Sequence, residues 1–120
     1  MISIIICSRT ASISDELTQN IDQTIGLPYE LVIIDNSDNL YSIFSAYNEG
    51  VKRSKYELLC FMHDDIIFKT NDWGISVMNR FKSSNLGAIG VAGSPYYAIL
   101  PGGWWSGGYI CQSNYGEQQL

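Results

Sequence analysis

Residues Leu58 to Phe68 read LLCFMHDDIIF. An apolar run stops at two adjacent carboxylates, Asp64 and Asp65, and apolar residues resume at once. A run of this length bounded by polar residues predicts a buried strand. In an open α/β sheet the crevice beyond the carboxyl ends of the strands is where ligands bind. Two acids held side by side there repel one another unless a cation or a hydrogen-bonding ligand compensates them. Hard oxygen donors of this kind suit Mg²⁺ or Mn²⁺, commonly shared with substrate phosphates. On these residues alone two readings stand: a metal–diphosphate site, or a solvated turn at a strand end.

The rest of the chain sets bounds on both. Its 120 residues suffice for one small domain with a core, and 46% apolar against 16% charged residues marks it as globular. The formal charge of −5 and the lack of a basic stripe argue against nucleic acid as a partner. Lys52, Arg53 and Lys55 form one short basic cluster, expected at a solvated helix end where cations suit the dipole. Three cysteines, Cys7, Cys60 and Cys111, have no metal-ligand spacing and cannot all pair, which favours a reducing compartment. The opening MISIIICSRT predicts a first strand rather than a signal peptide. No stretch approaches the ~18 continuous apolar residues of a membrane span. The expected location is the cytoplasm, with peripheral association to a membrane as the one variant.

Working outward along the chain, Ile2–Cys7 is β-branched and apolar apart from Ser3, predicting a central buried strand. Ser12-x-x-Asp15 resembles a capping box, and Ile13, Leu17, Ile21 and Ile25 follow at helical spacing. Gly26-Leu27-Pro28 predicts the helix stop. Glu30–Ile34 is a second strand, closed by Asp35-Asn36-Ser37-Asp38-Asn39. A second helix is expected to present Ile43, Phe44, Tyr47 and Val51 on one face, and Tyr56–Met62 is the third strand. Asn71-Asp72 can cap a third helix with Trp73, Val77, Met78 and Phe81 inward, and Leu86–Val91 reads as a further strand. Gly93–Tyr97 and Pro101–Gly108 are rich in turns and aromatics, and Gln112–Leu120 is polar and expected to fray. Strands alternating with helices predict βαβ units, a mostly parallel sheet and a three-layer α/β/α sandwich. All three strand-end loops are polar, namely Ser8-Arg9-Thr10, Asp35-Asn36-Ser37 and His63-Asp64-Asp65. In a parallel sheet they share one edge, which describes a nucleotide-sized crevice.

Taken in order, these loops resemble a family. ISIIICSRT, ELVIIDNSDN, Asn48-x-Gly50 and FMHDD are similar to the nucleotide-binding half of a family 2 glycosyltransferase with the GT-A fold. The similarity is closest over residues 1–70 and continues at strand level to about residue 92. Cys7-Ser8-Arg9-Thr10 stand where the family has Pro-Thr-Tyr-Asn. FMHDD occupies the place of the metal-binding Asp-x-Asp, with His63 replacing the first acid. Asn36 takes a position that is often Asp. The His-Asp-Asp spelling with the later Gly-Gly-Trp-Trp resembles a glycosyltransferase-like branch of the superfamily.

The resemblance implies a nucleotide-sugar donor and a carbohydrate or lipid-linked acceptor, as in polysaccharide or glycoconjugate synthesis. It implies Asp65 as ligand to a divalent metal, Mn²⁺ or Mg²⁺, with His63 either a second ligand or a packing residue. Asp64 would accept from the ribose. Asp35 and Asn36 would face the base, with Cys7, Ser8 and Arg9 completing the nucleotide pocket. An Asx turn alone would also explain Asp35-Asn36-Ser37. Asn48 and Gly50 are expected to pack the second helix on the sheet. The implied layout is a single domain, 1–120, with a nucleotide-sugar-binding core over 1–92 and an irregular Gly/Trp-rich segment over 93–120. After Asp72 the only carboxylate is Glu117, so the inverting family's later general base has no strong candidate. This predicts a truncated or minimal form in which transfer by this chain alone is doubtful. The competing expectation is a nucleotide-sugar-binding module without catalysis. For Trp104 and Trp105 two readings stand: one of them stacked on a sugar face near the acceptor entrance, or, as favoured, one in the core and one at an interface. An exposed Trp-rich segment left by a missing acceptor half predicts self-association as a homodimer. A receiver-type phosphoacceptor is set aside: the first strand ends in Cys7-Ser8-Arg9 rather than in acids, and no Lys follows Lys82. A P-loop enzyme is excluded because no GxxxxGK[ST] occurs.

Overall fold

A computed structural model describes residues 1–83 and 85–90. The chain divides into two compact units, 1–85 and 86–120. The first runs β1 (Ile2–Ser8), α1 (Asp15–Thr24), β2 (Tyr29–Asp35), α2 (Ile43–Arg53), β3 (Leu58–Met62) and α3 (Trp73–Ser83). The sheet is parallel throughout, in the order β2-β1-β3. Chain order therefore reverses direction beside β1. Because parallel crossovers keep one hand, the reversal sends α1 and α2 to opposite faces. Two apolar clusters show this. Ile2, Ile4 and Ile6 pack with Leu17, Ile21 and Ile25 of α1 and Trp73 of α3, while Ile5, Val32 and Ile34 pack with Ala46 of α2. The three layers expected from the sequence are thus present.

Helix α1 keeps its expected stripe, with Leu17, Ile21 and Ile25 buried and Ile13 packed against them. Its cap differs from the expected Ser12. Ser14 is the N-cap, its Oγ accepting from Leu17 N at 3.1 Å, because Thr10 Oγ1 donates to Ser12 O and holds that segment in a turn. Asp15 and Glu16 then occupy the first turn, where carboxylates suit the helix dipole. Gly26 ends the helix at φ 73°, and a Cβ there would run into the Asp72 side chain. The Ile25 carbonyl, orphaned at the end of α1, accepts from Gly74 N at 3.1 Å. One bond so satisfies a helix C-terminus and a helix N-terminus together. Asp72 stands at the start of α3 in the left-handed region, φ 58°, and gives its carbonyl to Ser76 N.

Helix α2 corrects a second expectation. Its large apolar residues do not form the buried face: Phe44 is 78% exposed, and Ile43 and Val51 are exposed too. The contact is made by Ala46 and Gly50, with Tyr47 packed at its margin. A Cβ on Gly50 would overlap Ile5 Cγ2, so the helix lies close on the sheet and only small residues fit beneath it. Gly50 thus packs α2 as expected, whereas Asn48 is exposed. Lys52 and Arg53 close the helix and pair with Glu49 at 3.5 and 3.0 Å, the solvated end anticipated for this cluster.

Residues 86–90 form no strand, contrary to expectation. Gly87 and Gly90 lie in open space, and among the described residues no ladder partner satisfies this segment. Val91, the aromatic segment from Gly93, Trp104, Trp105, Cys111, Glu117 and the polar tail lie outside the described residues. Cys7 and Cys60 are free thiols, and burial pushes the Cys60 thiol up to about 11, so it packs as a small apolar side chain. No helix among the described residues is long and apolar enough to cross a membrane.

At the amino ends of the strands, buried Ser3 donates to Glu30 Oε1 at 2.6 Å and accepts from Tyr56 N at 3.1 Å. Glu30 also accepts from Lys55 N and pairs with Lys55 Nζ at 3.6 Å. The Ser3 and Lys55 hydrogen bonds hold the Glu30 carboxyl below its usual pKa. A carboxylate depressed in the folded state stabilises above its unfolded pKa, and that contribution disappears as pH falls through the folded value. Acid titration of stability should therefore show wild type and Glu30→Gln separated at pH 6 and converging in strong acid. A separation independent of pH would rule out this role. Gly50→Val should lower stability by about 2–3 kcal/mol in urea denaturation, from overpacking against Ile5. An unchanged midpoint would show that α2 stands farther from the sheet.

Candidate functional site

The topology puts a crevice at the carboxyl ends of β1 and β3, beside the point where strand order reverses. Ser8 ends β1 and is buried, at 1% exposure. Its hydroxyl donates to Asp64 Oδ2 at 2.6 Å, joining the first and third loops across 56 residues of sequence. On its other side Ser8 pairs with Asp35 in the β1–β2 register, and its carbonyl accepts from Asn36 N at 2.8 Å. The three loops expected to converge do so around this one residue.

Proton bookkeeping fixes the local directions. Each hydroxyl has one hydrogen. With the Ser8 proton on Asp64, the 3.0 Å contact between Ser8 Oγ and Thr10 Oγ1 has Thr10 as donor, sharing its proton with Ser12 O. Thr10 N also donates to Ser8 Oγ at 3.2 Å. Ser8 thus accepts from the loop that follows it and donates to the acid across the crevice.

The acidic residues differ in what remains free. Asp64 is exposed and has one oxygen committed to Ser8. Asp65 is exposed and makes no hydrogen bond or ion pair among the described residues, so neither of its oxygens is committed there. Asp35 Oδ1 accepts from Ser37 N at 2.9 Å, the Asx turn that its neighbours suggested, and this bond draws its carboxyl below the usual range. The Asn36 amide is engaged at both ends: Nδ2 donates to Tyr41 O at 2.9 Å and Oδ1 accepts from Tyr41 N at 2.8 Å. It closes the 36–41 loop, where Asn39 takes φ 55°.

The remaining expected residues are placed less centrally. His63 and Arg9 are exposed, and Arg9 has no ion pair among the described residues. Cys7 is half-buried and packs against the Ile5–Val32–Ile34–Ala46 cluster. Two residues of the site, Ser14 and Glu16, were not singled out from sequence, and Leu17 was read only as part of the apolar stripe. These three, at the start of α1, line an open hollow of about 190 Å³ with Asp64, Asp65, Ile66 and Ile67. An acid two places into a helix at the crevice edge was the available signal for Glu16. Among the described residues no three His, Cys, Asp or Glu side chains form a metal-holding group. The oxygens present fit a Mg²⁺-like ion that takes one or two carboxylates and completes its shell with water and phosphate.

A family model described as a glycosyltransferase-like family matches residues 3–119. The chain belongs to this glycosyltransferase-like family. The three-stranded parallel sheet with its three helices is accordingly a small GT-A-like domain. No curated protein and no solved structure matches the chain.

The clasp on Tyr41 predicts a structural effect for Asn36. Asn36→Ala removes two hydrogen bonds and should lower stability by about 1–2 kcal/mol. Exchange of the Tyr41 amide hydrogen should accelerate with it, and a Tyr41 amide as protected as before would refute the clasp.

Proposed function

We propose that this crevice binds a nucleotide-sugar donor through a divalent cation, Mn²⁺ or Mg²⁺, and serves sugar transfer to an acceptor hydroxyl in polysaccharide or glycoconjugate synthesis. The observation that carries the reading is the Ser8–Asp64 hydrogen bond at the strand-order reversal, which brings the acidic pair beside the Asp35 loop. Asp65, with both oxygens uncommitted, is the principal metal ligand, and His63 is the candidate second ligand. Asp64, oriented by Ser8, offers its other oxygen to the ribose. Asp35 lies on the base side, with Asn36 shaping that loop and Cys7 backing it. Arg9 is free to reach the diphosphate with its forked donors.

In the transfer proposed, the bond from the anomeric carbon to the diphosphate oxygen breaks and a bond to the acceptor oxygen forms with inversion. The acceptor proton passes to a base, and the nucleoside diphosphate leaves. When bound, the cation would neutralise charge on that leaving group. This chain's residues hold the donor in place and orient its phosphates. A second reading is donor binding without transfer.

Calorimetric titration with UDP and GDP, with and without Mn²⁺, tests the site. Binding of one nucleotide should require the metal and weaken at least about tenfold in Asp65→Ala, as loss of a metal-orienting group typically does. Metal-independent binding, or binding untouched by Asp65→Ala, would overturn the assignment. Release of nucleoside diphosphate from the matching donor in the presence of acceptors separates transfer from binding alone.

A further inference from the structure

The segment from His63 to Asp72 contains Asp64 and Asp65 and joins no ladder. It is held instead from α1. The half-buried Asn20 side chain grips the main chain of Phe68 at both groups, Oδ1 accepting from Phe68 N at 2.7 Å and Nδ2 donating to Phe68 O at 2.9 Å. The amide thus does for Phe68 what a neighbouring strand would do. The Phe68 ring stacks on Trp73, with centroids 4.1 Å apart and planes 8° from parallel. Trp73 Nε1 donates to Thr24 Oγ1 at 3.1 Å, and Thr24 Oγ1 donates to Asn20 O at 2.6 Å. The contacts close a circuit, Asn20 to Phe68 to Trp73 to Thr24 and back to Asn20. The Thr24–Trp73 link is buried. The acidic loop is therefore anchored on both sides, through Asp64 by Ser8 and three residues after Asp65 by Asn20.

We propose that Asn20 is a positioning residue for the acidic loop, setting where the Asp65 carboxylate stands relative to a metal-bound diphosphate. This deepens the donor-site reading and rests on it. Asn20 lies about one turn beyond Glu16 and under two turns beyond Ser14 on the helix that lines the hollow, so the same helix that forms one wall also holds the other. Asp64 alone cannot fix Asp65, because adjacent side chains in an irregular turn point independently. The second anchor supplies the missing restraint at Phe68. A side chain at position 20 that keeps the acceptor but loses the donor, as in Asn20→Asp, would face the Phe68 carbonyl with a like-signed oxygen and hold the loop less well.

The test compares wild type, Asn20→Ala, Asn20→Asp, Asp65→Ala and Glu30→Gln by calorimetry with Mn²⁺ plus UDP or GDP, and with the corresponding monophosphate without metal. Glu30 lies at the opposite end of the sheet and serves as a stability control, with thermal midpoints recorded for all. Both Asn20 variants should lose about tenfold in the metal-dependent gain in affinity, Asp65→Ala more, while monophosphate affinity holds. Glu30→Gln should leave the gain intact despite its lowered midpoint. A gain lost in Asp65→Ala but kept in both Asn20 variants overturns the positioning role alone. Equal losses with and without metal, or a loss matched by Glu30→Gln, overturn it as well by showing a general effect of stability. Wild type binding neither nucleotide with metal overturns the donor-site reading, and the positioning role with it.

Discussion

β1 is covered on both faces, and the rest of the domain is arranged to meet that requirement. Five consecutive residues, Ile2 to Ile6, are buried. A strand so placed needs a strand on each edge to satisfy its main-chain groups and a helix on each face to exclude water. β2 and β3 supply the edges. α1 and α3 cover the face of Ile2, Ile4 and Ile6, and α2 covers that of Ile5. The reversal of strand order beside β1 follows from having to fill both edges. The crevice in turn exists because of the reversal. Ser8 is the residue at which this strand emerges, and it inherits its central position from the strand behind it.

The elements whose signals are periodic were legible. The stripe of Leu17, Ile21 and Ile25 and the continuous run of β1 state their geometry in residue type alone. The buried face of α2 was not legible in the same way. Reading by size favours Phe44 and Val51, yet the close approach at Ile5 admits only Ala46 and Gly50. Hydrophobic patterning measures appetite for burial, whereas this contact is decided by room. Residues 86–90 of the expected strand Leu86–Val91 show the converse. Their apolar residues met the composition of a strand, but Gly87 and Gly90 weaken it and no ladder partner is found among the described residues.

In the site, residue types were legible and their partners were not. The polar loops could be placed on one sheet edge from the βαβ order alone. That Asp64 would be tied to Ser8, that the Asn36 amide would be spent on Tyr41, and that Asn20 would grip Phe68 depended on where the backbone came to rest. Three of these hydrogen bonds join residues 48 or more apart. They also divide the acidic pair. One carboxylate is directed by a neighbour, and the other has no partner among the described residues. Adjacent residues of identical chemistry thereby come to differ in use, which the letters Asp-Asp do not express.

The double coverage of β1 has a consequence for the chain as it leaves the ribosome. Ile2 pairs with Tyr29 on one side and with Leu58 on the other. The strand made first is therefore completed last, since its second edge waits for residues synthesised much later. Over that interval ISIIIC is an uncharged, β-branched hexamer without proline, the composition that favours pairing between chains. The most buried segment among the described residues is thus one that needs shelter during synthesis.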